Sequence, residues 1–590
     1  MNGLSQGPIA DGAPVLSIIT EPGCGAEELA RIAALLEAQT LKNWQWLYRS
    51  NEADEGLIAG SAAMLVLPRA PKALRATALE EAIWFLLARP STPWVELRDG
   101  AQRADLFIER ESVPEGCIGL RLNNSAGAGT TRLELSNPLP TRAGKRLLLL
   151  IPWLEPGGAD RCNLDILRVL ARDGWELTVV ASLAAEHRWL DRFLALTADV
   201  WVLPDFLVAE QAFDFLAYLL ASRKPDLVLL SNSAFAYDAV GFIQERCPGL
   251  PLIDLNHMEE AWDAGGHPGS AVKHSALLNR HWVVSGHLRQ WLVDHGVEAG
   301  KVEVLHWFAD IERWKPCPAR RAEVRARLGI DPECVLIAYA GRLCQQKRPD
   351  LFAASLHELA RSHAGFAALV MGDGELSGQL RNDLWRYGLT DRVRMLGWQD
   401  EEQLCELFQA ADILFLPSAG EGIALVLYEA MACGLAVVAT KVGGQAELVS
   451  AECGFLVARS SPEQEAMDYA TALGALLDDP ALLQRMGRSS ALRVRDAFSP
   501  AHFEHRLRGL LGRVQTPARP LGRVHCPDLT TGVTRLSMQW SAYRLLVGLR
   551  RHWLLQGRWR LLQLMEPCVK GLSLVRAFGV GAIWRRFRKQ

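Results

Sequence analysis

The sequence predicts an α/β fold with parallel sheets, and three observations point to it. Short apolar runs, such as 335–340 and 413–417, alternate with segments of helical periodicity. A helix over 424–433 follows the second run and is closed by Gly434. Several runs end in polar residues, where a parallel sheet presents its binding edge. We therefore expect Rossmann-like domains whose ligand-binding residues follow the strands.

The first strand–helix–strand unit begins with the apolar run 146–152 and the turn sequence EPGGADR. A helix over 163–171, closed by Gly174, and a strand over 175–180 complete the unit. Gly157 and Gly158 let the backbone approach a ligand closely at the head of this helix.

Two carboxylates, Glu421 and Glu429, flank the loop-to-helix junction after the strand at 413–417. A carboxylate accepts two hydroxyl hydrogen bonds, so Glu429 suits a ribose diol, and Glu421 with the amides after Gly422 suits a hexose. Eight helical positions would rise about 12 Å. That length fits a nucleotide sugar, although two glutamates at this spacing also occur by chance.

Two cations follow the strand at 335–340. The loop sequence GRLCQQK sets Arg342 and Lys347 five residues apart. Such a pair can neutralise a diphosphate leaving group without a metal. An exposed Arg and Lys are more often solvated surface side chains. The order of the surrounding motifs therefore has to decide whether this pair binds a diphosphate.

That order is strand, GRLCQQK, helix, MGDGE, LGWQD, strand, AGEG, helix, VATKVGG. It resembles the retaining family-4 glycosyltransferases of the GT-B type, over roughly residues 145–511. The resemblance implies two Rossmann-like domains that face a cleft, an acceptor-side domain over 141–308 and a nucleotide-sugar domain over 309–515. The second domain is expected to end in a return helix over 498–511.

The resemblance also implies roles for individual residues. Catalytic roles fall to Arg342, Lys347, Glu421 and His257. Donor contacts fall to Gly157, Gly158, Gly341, Gly422, Ile423, Ala424, Glu429 and Trp398. A structural histidine at a strand end is the alternative for His257, and the segment HWFAD at 306–310 departs from the Asn-Gly-Val-Asp type common in the family.

The implied reaction is sugar transfer with retention from a UDP- or GDP-sugar to a glycan or lipid-linked acceptor, in bacterial cell-surface polysaccharide biosynthesis. The leaving diphosphate would help to deprotonate the acceptor, and neither metal nor cofactor is expected. The alternative is a catalytically silent scaffold or binding protein in glycan assembly. An epimerase or phosphorylase is disfavoured because no cofactor lysine motif stands out.

Composition and charge limit the classes of protein to which the chain can belong. The net charge of −3 gives no nucleic-acid signature. The 12 cysteines lack CxxC pairs and metal-ligand spacing, which favours reduced thiols in the cytoplasm. The start, MNGLSQGPIADGAP, predicts no signal peptide, and no apolar run reaches transmembrane length.

The segment 1–140 resembles the opening of family-2, GT-A type glycosyltransferases, in an apolar run over 15–20, a helix-like stretch over 26–39 and the segment 39–46, which leads into the second strand. The acidic pair and the DxD metal motif of those enzymes are missing. We interpret it as a degenerate α/β module that packs or docks. A coincidental α/β domain is the alternative.

The segment 516–590 begins with a proline-interrupted linker and becomes strongly basic. Residues 541–590 hold eleven Lys and Arg and one Glu, a net charge of +10, which leaves −13 for the first 540 residues. A helical tail lying on an anionic membrane face is the preferred interpretation, with the enzyme peripheral on the inner side. Packing on the acidic body, or binding an acidic polymer, is the alternative.

Overall fold

Three β-sheets organise the chain. The computed structural model describes residues 144–260, 265–514 and 529–555, together with six strands between 16 and 122 and the helical residues Glu81, Ala82 and Trp84. The chain divides into two compact units, one of 1–253, 276–279 and 516–590 and one of 254–275 and 280–515. The domain boundary expected at 308 stays a prediction.

The first sheet has six strands in the order β2-β1-β3-β6-β4-β5. Strand β1 pairs in parallel with β2 and β3, and the other pairings are antiparallel. The helix predicted over 26–39 lies outside the described residues. The strands are Leu16–Thr20, Trp44–Tyr48, Ala63–Leu67, Trp94–Glu96, Ile108–Arg110 and Gly119–Leu122.

The second sheet has seven strands in the order β13-β12-β11-β10-β7-β8-β9. All six residues of β7 are buried, as expected for a parallel strand covered on both faces. The strands β7 to β13 are Arg146–Ile151, Glu176–Ala181, Val200–Val202, Leu227–Ser231, Leu252–Asn256, Arg280–Val283 and Val302–Val304.

Helices α1 to α7 lie between the strands β7 to β13 in the order of the chain. The first begins at Gly158, five residues earlier than the sequence predicted, because extended Gly157 acts as its N-cap and the glycine turn is already part of the first helical turn. The helices are Gly158–Arg172, Leu190–Leu194, Leu203–Phe206, Ala212–Arg223, Ala234–Arg246, Gly266–His274 and Gly286–Asp294.

The third sheet has six parallel strands in the order β16-β15-β14-β17-β18-β19. Its core includes Tyr339, Phe352, Phe415 and Tyr469, all fully buried. The predicted strand 335–340 is confirmed. The strands β14 to β19 are Val335–Ala340, Phe366–Met371, Val393–Gly397, Ile413–Leu416, Ala436–Thr440 and Gly454–Val457.

Helices α8 to α17 complete the described chain. A capping box of Asp400 and Gln403 begins α11, and Gly434, with φ of 87°, follows the end of α12. The helices are Pro318–Leu328, Pro349–Ala360, Ser377–Arg386, Glu401–Ala410, Leu425–Ala432, Gln445–Leu448, Pro462–Asp478, Pro480–Ala497, Pro500–Gly512 and Leu529–Leu555.

The helix predicted over 498–511 is present as α16, and its return toward the preceding domain stays a prediction. Phe503 packs against Trp307 and Phe308, with ring centroids 4.5 and 4.7 Å apart, and Arg506 donates to the carbonyl of Val304 at 3.0 Å. The unusual HWFAD segment therefore supplies the aromatic surface on which this helix lies.

The first half of α17 packs on the first unit. Leu536 and Trp540 are each 2% exposed, and the Trp540 indole N–H donates to the carbonyl of Ser182 at 2.8 Å. Arg535 pairs with Asp238 at 2.7 Å. Residues 529–543 are therefore part of a packed unit. Within the described residues, every helix is too short or too polar to cross a membrane.

Replacing Trp540 by alanine should weaken the attachment of α17 by about 3 kcal/mol, because a large buried ring and a hydrogen bond are lost. Faster hydrogen exchange in peptides covering 529–543 measures this loss. Trp385→Ala is the control, since Trp385 is 76% exposed and such changes usually cost little. Equal exchange in the two variants would contradict the packing described for α17.

Candidate functional site

The loop after β14 carries the two predicted cations. The stem of Lys347 passes 3.7 Å from the position that a Cβ on Gly341 would take, and the Tyr339 hydroxyl donates to the carbonyl of Lys347 at 3.2 Å. Lys347 is thus fixed against the end of the strand. Arg342 is exposed, and its side chain has no hydrogen bond or ion pair with the described residues.

Lys347 forms an ion pair with Glu421. Its ammonium Nζ lies 2.5 Å from Glu421 Oε1, and the two side chains are 17% and 8% exposed. The sequence assigned Lys347 to a diphosphate and Glu421 to a sugar, and did not predict this contact. An ammonium group has three donors, so the ion pair leaves two N–H groups for a ligand.

Two hydrogen bonds join the loops that carry this ion pair. The Ala419 N–H donates to the carbonyl of Gln346 at 2.7 Å. The Gln346 side-chain amide donates to the carbonyl of Gly420 at 2.8 Å. The loops 341–348 and 417–422 therefore form one connected surface at the carboxyl ends of β14 and β17.

A buried carboxylate, Glu465 on α14, anchors both loops. It is fully buried and pairs with Arg348 at 2.6 Å and with Arg459 at 3.2 Å. Arg459 also donates to the carbonyl of Ala419 at 2.9 Å. Sequence reasoning missed the ion pairs of Glu465, because Glu465 lies 117 residues from Arg348. The only sequence feature that could have indicated them is the position of Arg348 next to Lys347.

The helix that carries Glu429 begins after the candidate sugar loop. Ala424 is the N-cap of α12, without a side-chain cap, and Ile423 and Ala424 are buried. The 12 Å figure assumed eight helical positions between the two glutamates, and this assumption is wrong because Glu421 to Ala424 precede the helix. Glu429 is half-buried in the second turn.

Gly422 lies against the backbone of His257. A Cβ on Gly422 would be 1.8 Å from the His257 carbonyl oxygen and 2.9 Å from Val284. Only glycine permits this approach. The structure therefore brings together Lys347, Glu421, Gly422 and the backbone of His257, which the sequence placed in one site.

The His257 imidazole is neutral near pH 7. Burial, followed by the charge of His267, lowers the pKa of His257 to about 4. Burial also lowers the pKa of His267 to about 4. A neutral imidazole suits a hydrogen bond to a sugar hydroxyl rather than charge stabilisation.

Three other predicted residues belong to other elements, and their donor contacts stay predictions. Gly157 and Gly158 are exposed at the start of α1, in the first unit. Trp398 is 63% exposed after the edge strand β16. No hydrogen bond or ring contact of the described residues joins the Trp398 side chain to the Lys347–Glu421 ion pair.

Among the described residues, no group of three or more His, Cys, Asp or Glu side chains has the arrangement of a metal site. The chemistry that the cluster itself supports is binding of an anion and of hydroxyl groups. The independence from metals expected from the sequence stays a prediction.

Acidification from pH 7 to pH 5 should destabilise the fold through His257 and His267. Their pKa values in the folded state lie below the unfolded value of 6.5, so the unfolded state binds more protons and stability is lost as the pH falls through this window. His257→Gln should remove about 1 kcal/mol of this loss, measured by urea unfolding at both pH values. The exposed His295→Gln is the control. An unchanged pH dependence in His257→Gln would refute the lowered pKa of His257.

Residues 320–493 match the family model described as glycosyl transferases group 1. A D-inositol 3-phosphate glycosyltransferase from Nocardia farcinica is 32% identical over 274 residues, which are 45% of this chain and 58% of the relative. The D-inositol 3-phosphate glycosyltransferase from Streptomyces avermitilis is 36% identical over 274 residues, which are 43% of this chain and 58% of the relative. The chain thus spans about half the length of the curated relatives it matches.

Solved structures resemble the chain in fold. Anabaena Alr3699/HepE in complex with UDP has a TM-score of 0.54 at 20% identity, covering 62% of this chain and 99% of that one. Sucrose-phosphate synthase from Thermosynechococcus elongatus has a TM-score of 0.51 at 20% identity, covering 62% and 98%. The parallel Rossmann-like sheets are therefore of the GT-B type, and residues 320–493 have the sequence pattern of glycosyl transferases group 1.

Proposed function

We propose that the protein is a retaining glycosyltransferase that moves a sugar from a nucleotide-sugar donor to a glycan or lipid-linked acceptor. The observation that carries the proposal is the Lys347–Glu421 ion pair beside exposed Arg342 and the start of α12. A diphosphate needs cations and helix N–H groups, and a sugar needs a fixed carboxylate. All of these lie on adjoining loops of the third sheet.

Each residue has a distinct role in the proposed reaction. Arg342 is unpaired among the described residues and is available to the diphosphate, and the free N–H groups of Lys347 add to it. These cations stabilise the charge that grows on the leaving group, which lowers the barrier. Glu421, held by Lys347, positions the hexose, while Glu429 holds the ribose and neutral His257 contacts a sugar hydroxyl.

A panel of UDP-, GDP- and ADP-sugars tests the proposal. Free nucleoside diphosphate should be released from one donor in the presence of an acceptor, and NMR of the product should show the anomeric configuration of the donor. UDP-sugars come first, because the HepE crystals contain UDP. Acceptors should include inositol phosphate, named for the relatives, and lipid-linked glycans from cell-surface polysaccharide synthesis. No turnover with any pair would favour the silent scaffold.

Arg342→Ala should lower kcat about a hundredfold, the usual effect of losing one preorganised charge partner, without changing the melting temperature. Lys347→Ala should lower both kcat and the melting temperature, because it leaves the buried Glu421 carboxylate unpaired. Arg361→Ala is the control, since Arg361 is exposed on the surface with Glu358. Activity should survive EDTA. Normal kcat in a folded Arg342→Ala variant would contradict the assignment.

We propose that the segment 1–140 is a degenerate family-2 module without activity of its own. Its support is the absence of a DxD motif from that segment of the sequence. The helical residues Ala82 and Trp84 are buried, and the Trp84 ring lies 5.3 Å from Phe215 and 5.7 Å from Tyr218. A packing role is consistent with these contacts.

We also propose that the basic tail binds an anionic membrane surface. A deletion at 528 is unsuitable for testing this, because it would remove Trp540 and Arg535 from the first unit. Residues 556–590, which hold eight Lys and Arg, provide a better truncation. They lie beyond the turns of α17 that pack on the unit.

Removing residues 556–590 should weaken binding to anionic vesicles, because each basic residue near such a surface contributes about 1 kcal/mol. The binding of the full chain should decrease as salt increases, and transfer to a soluble acceptor should be unchanged. A full-length variant with Arg585, Arg586, Arg588 and Lys589 replaced by Gln separates charge from length. Vesicle binding that survives the truncation would exclude the tail as the membrane contact.

A further inference from the structure

Glu447 connects three elements that lie far apart in the sequence. It belongs to the short helix α13, which follows Gly443 and Gly444. Its carboxylate accepts hydrogen bonds from the backbone N–H groups of Gly286 and His287, at 2.7 and 2.8 Å, in the first turn of α7. The same carboxylate contacts His306 Nε2 at 2.8 Å.

The surroundings of Glu447 favour its ionised form. Burial alone would raise the pKa of Glu447, but the hydrogen bonds from His306, Gly286 and His287 outweigh it, and the pKa lies below its usual value. A carboxylate at a helix N-terminus is also stabilised by the helix dipole. The contact is close, because a Cβ on Gly286 would lie 3.2 Å from Glu447 Oε2.

The opposite side of the same segment supports the candidate sugar loop. The Gly444 N–H donates to the carbonyl of Gly422 at 2.6 Å. A Cβ on Gly443 would be 1.7 Å from the carbonyl oxygen of Glu421. The backbone of Glu421 and Gly422 therefore rests directly on Gly443 and Gly444.

The far end of α13 is fixed as well. The Arg493 guanidinium donates to the carbonyls of Glu447 and Leu448 at 2.8 and 2.6 Å. With this end fixed, the Glu447 carboxylate determines where Gly443 and Gly444 lie relative to α7.

We propose that Glu447 is a positioning residue for Glu421: it fixes the Gly443–Gly444 turn to the start of α7 and to His306, and the turn fixes the backbone of Glu421 and Gly422. The proposal rests on the proposed transferase function for its kinetic consequence. Its structural consequence, an ordered 419–424 loop, is independent of that function.

The test compares full-length wild type with Glu447→Gln. The neutral amide weakens the charge-assisted hydrogen bonds and turns a donor toward backbone N–H groups. We expect kcat to fall about tenfold with little change in donor KM, since misplaced groups cost rate rather than binding. Hydrogen exchange in peptides covering 419–424 should become faster.

Glu452→Gln is the matched control, because Glu452 is an exposed carboxylate five residues further along the chain. His306→Ala, which removes one of the three hydrogen bonds, is the milder variant if Glu447→Gln does not fold. His306→Gln, which keeps a donor, should restore activity and exchange rates toward wild type.

Two outcomes would overturn the proposal. One is a lower melting temperature with unchanged kcat, which would make Glu447 a structural contact only. The other is unchanged exchange at 419–424 in folded variants. If the wild type transfers no sugar, the exchange result still decides the role of Glu447, so failure of the proposed function is distinguishable from failure of this inference.

Discussion

The buried carboxylate of Glu465 is the interaction on which the candidate site depends. A fully buried charge is costly unless it is paired, and Glu465 is paired with Arg348 and Arg459. One arginine belongs to the loop of Lys347, and the other reaches the loop of Glu421. The cost of burying the Glu465 carboxylate thus holds the two loops in place, because releasing either arginine would leave this carboxylate incompletely paired in the protein interior.

Above this buried set lies a second, more accessible layer of charge. Lys347 and Glu421 face each other on the two loops that Glu465 anchors, and Glu447 supports the second loop from another direction. The site is therefore preorganised by side chains that need not touch a ligand. Such support is what keeps charged groups in place while charge moves during a reaction.

Sequence reasoning succeeded where the information is local. The strand 335–340, the helix after Glu421, and the glycine at 434 follow from periodicity and from punctuation by Gly and Pro. The assignment of Lys347, Glu421 and His257 to one site came from the family resemblance. The contacts of Glu465 with Arg348 and of Glu447 with Gly286 could not be predicted, because each joins residues more than a hundred positions apart. The assumption of eight helical positions between Glu421 and Glu429 failed for a local reason, since the chain just before Leu425 is not helical.

The packing of α17 makes the first unit discontinuous in the chain. Trp540 bonds to Ser182 across 358 positions, and Arg535 pairs with Asp238 across 297. During synthesis the earlier residues emerge from the ribosome long before their partners, so this surface of the unit stays uncovered until the whole second unit has been made. Long-range closure of this kind is slow and leaves apolar surface exposed in the meantime. The nascent chain therefore carries an unfinished domain for most of its translation.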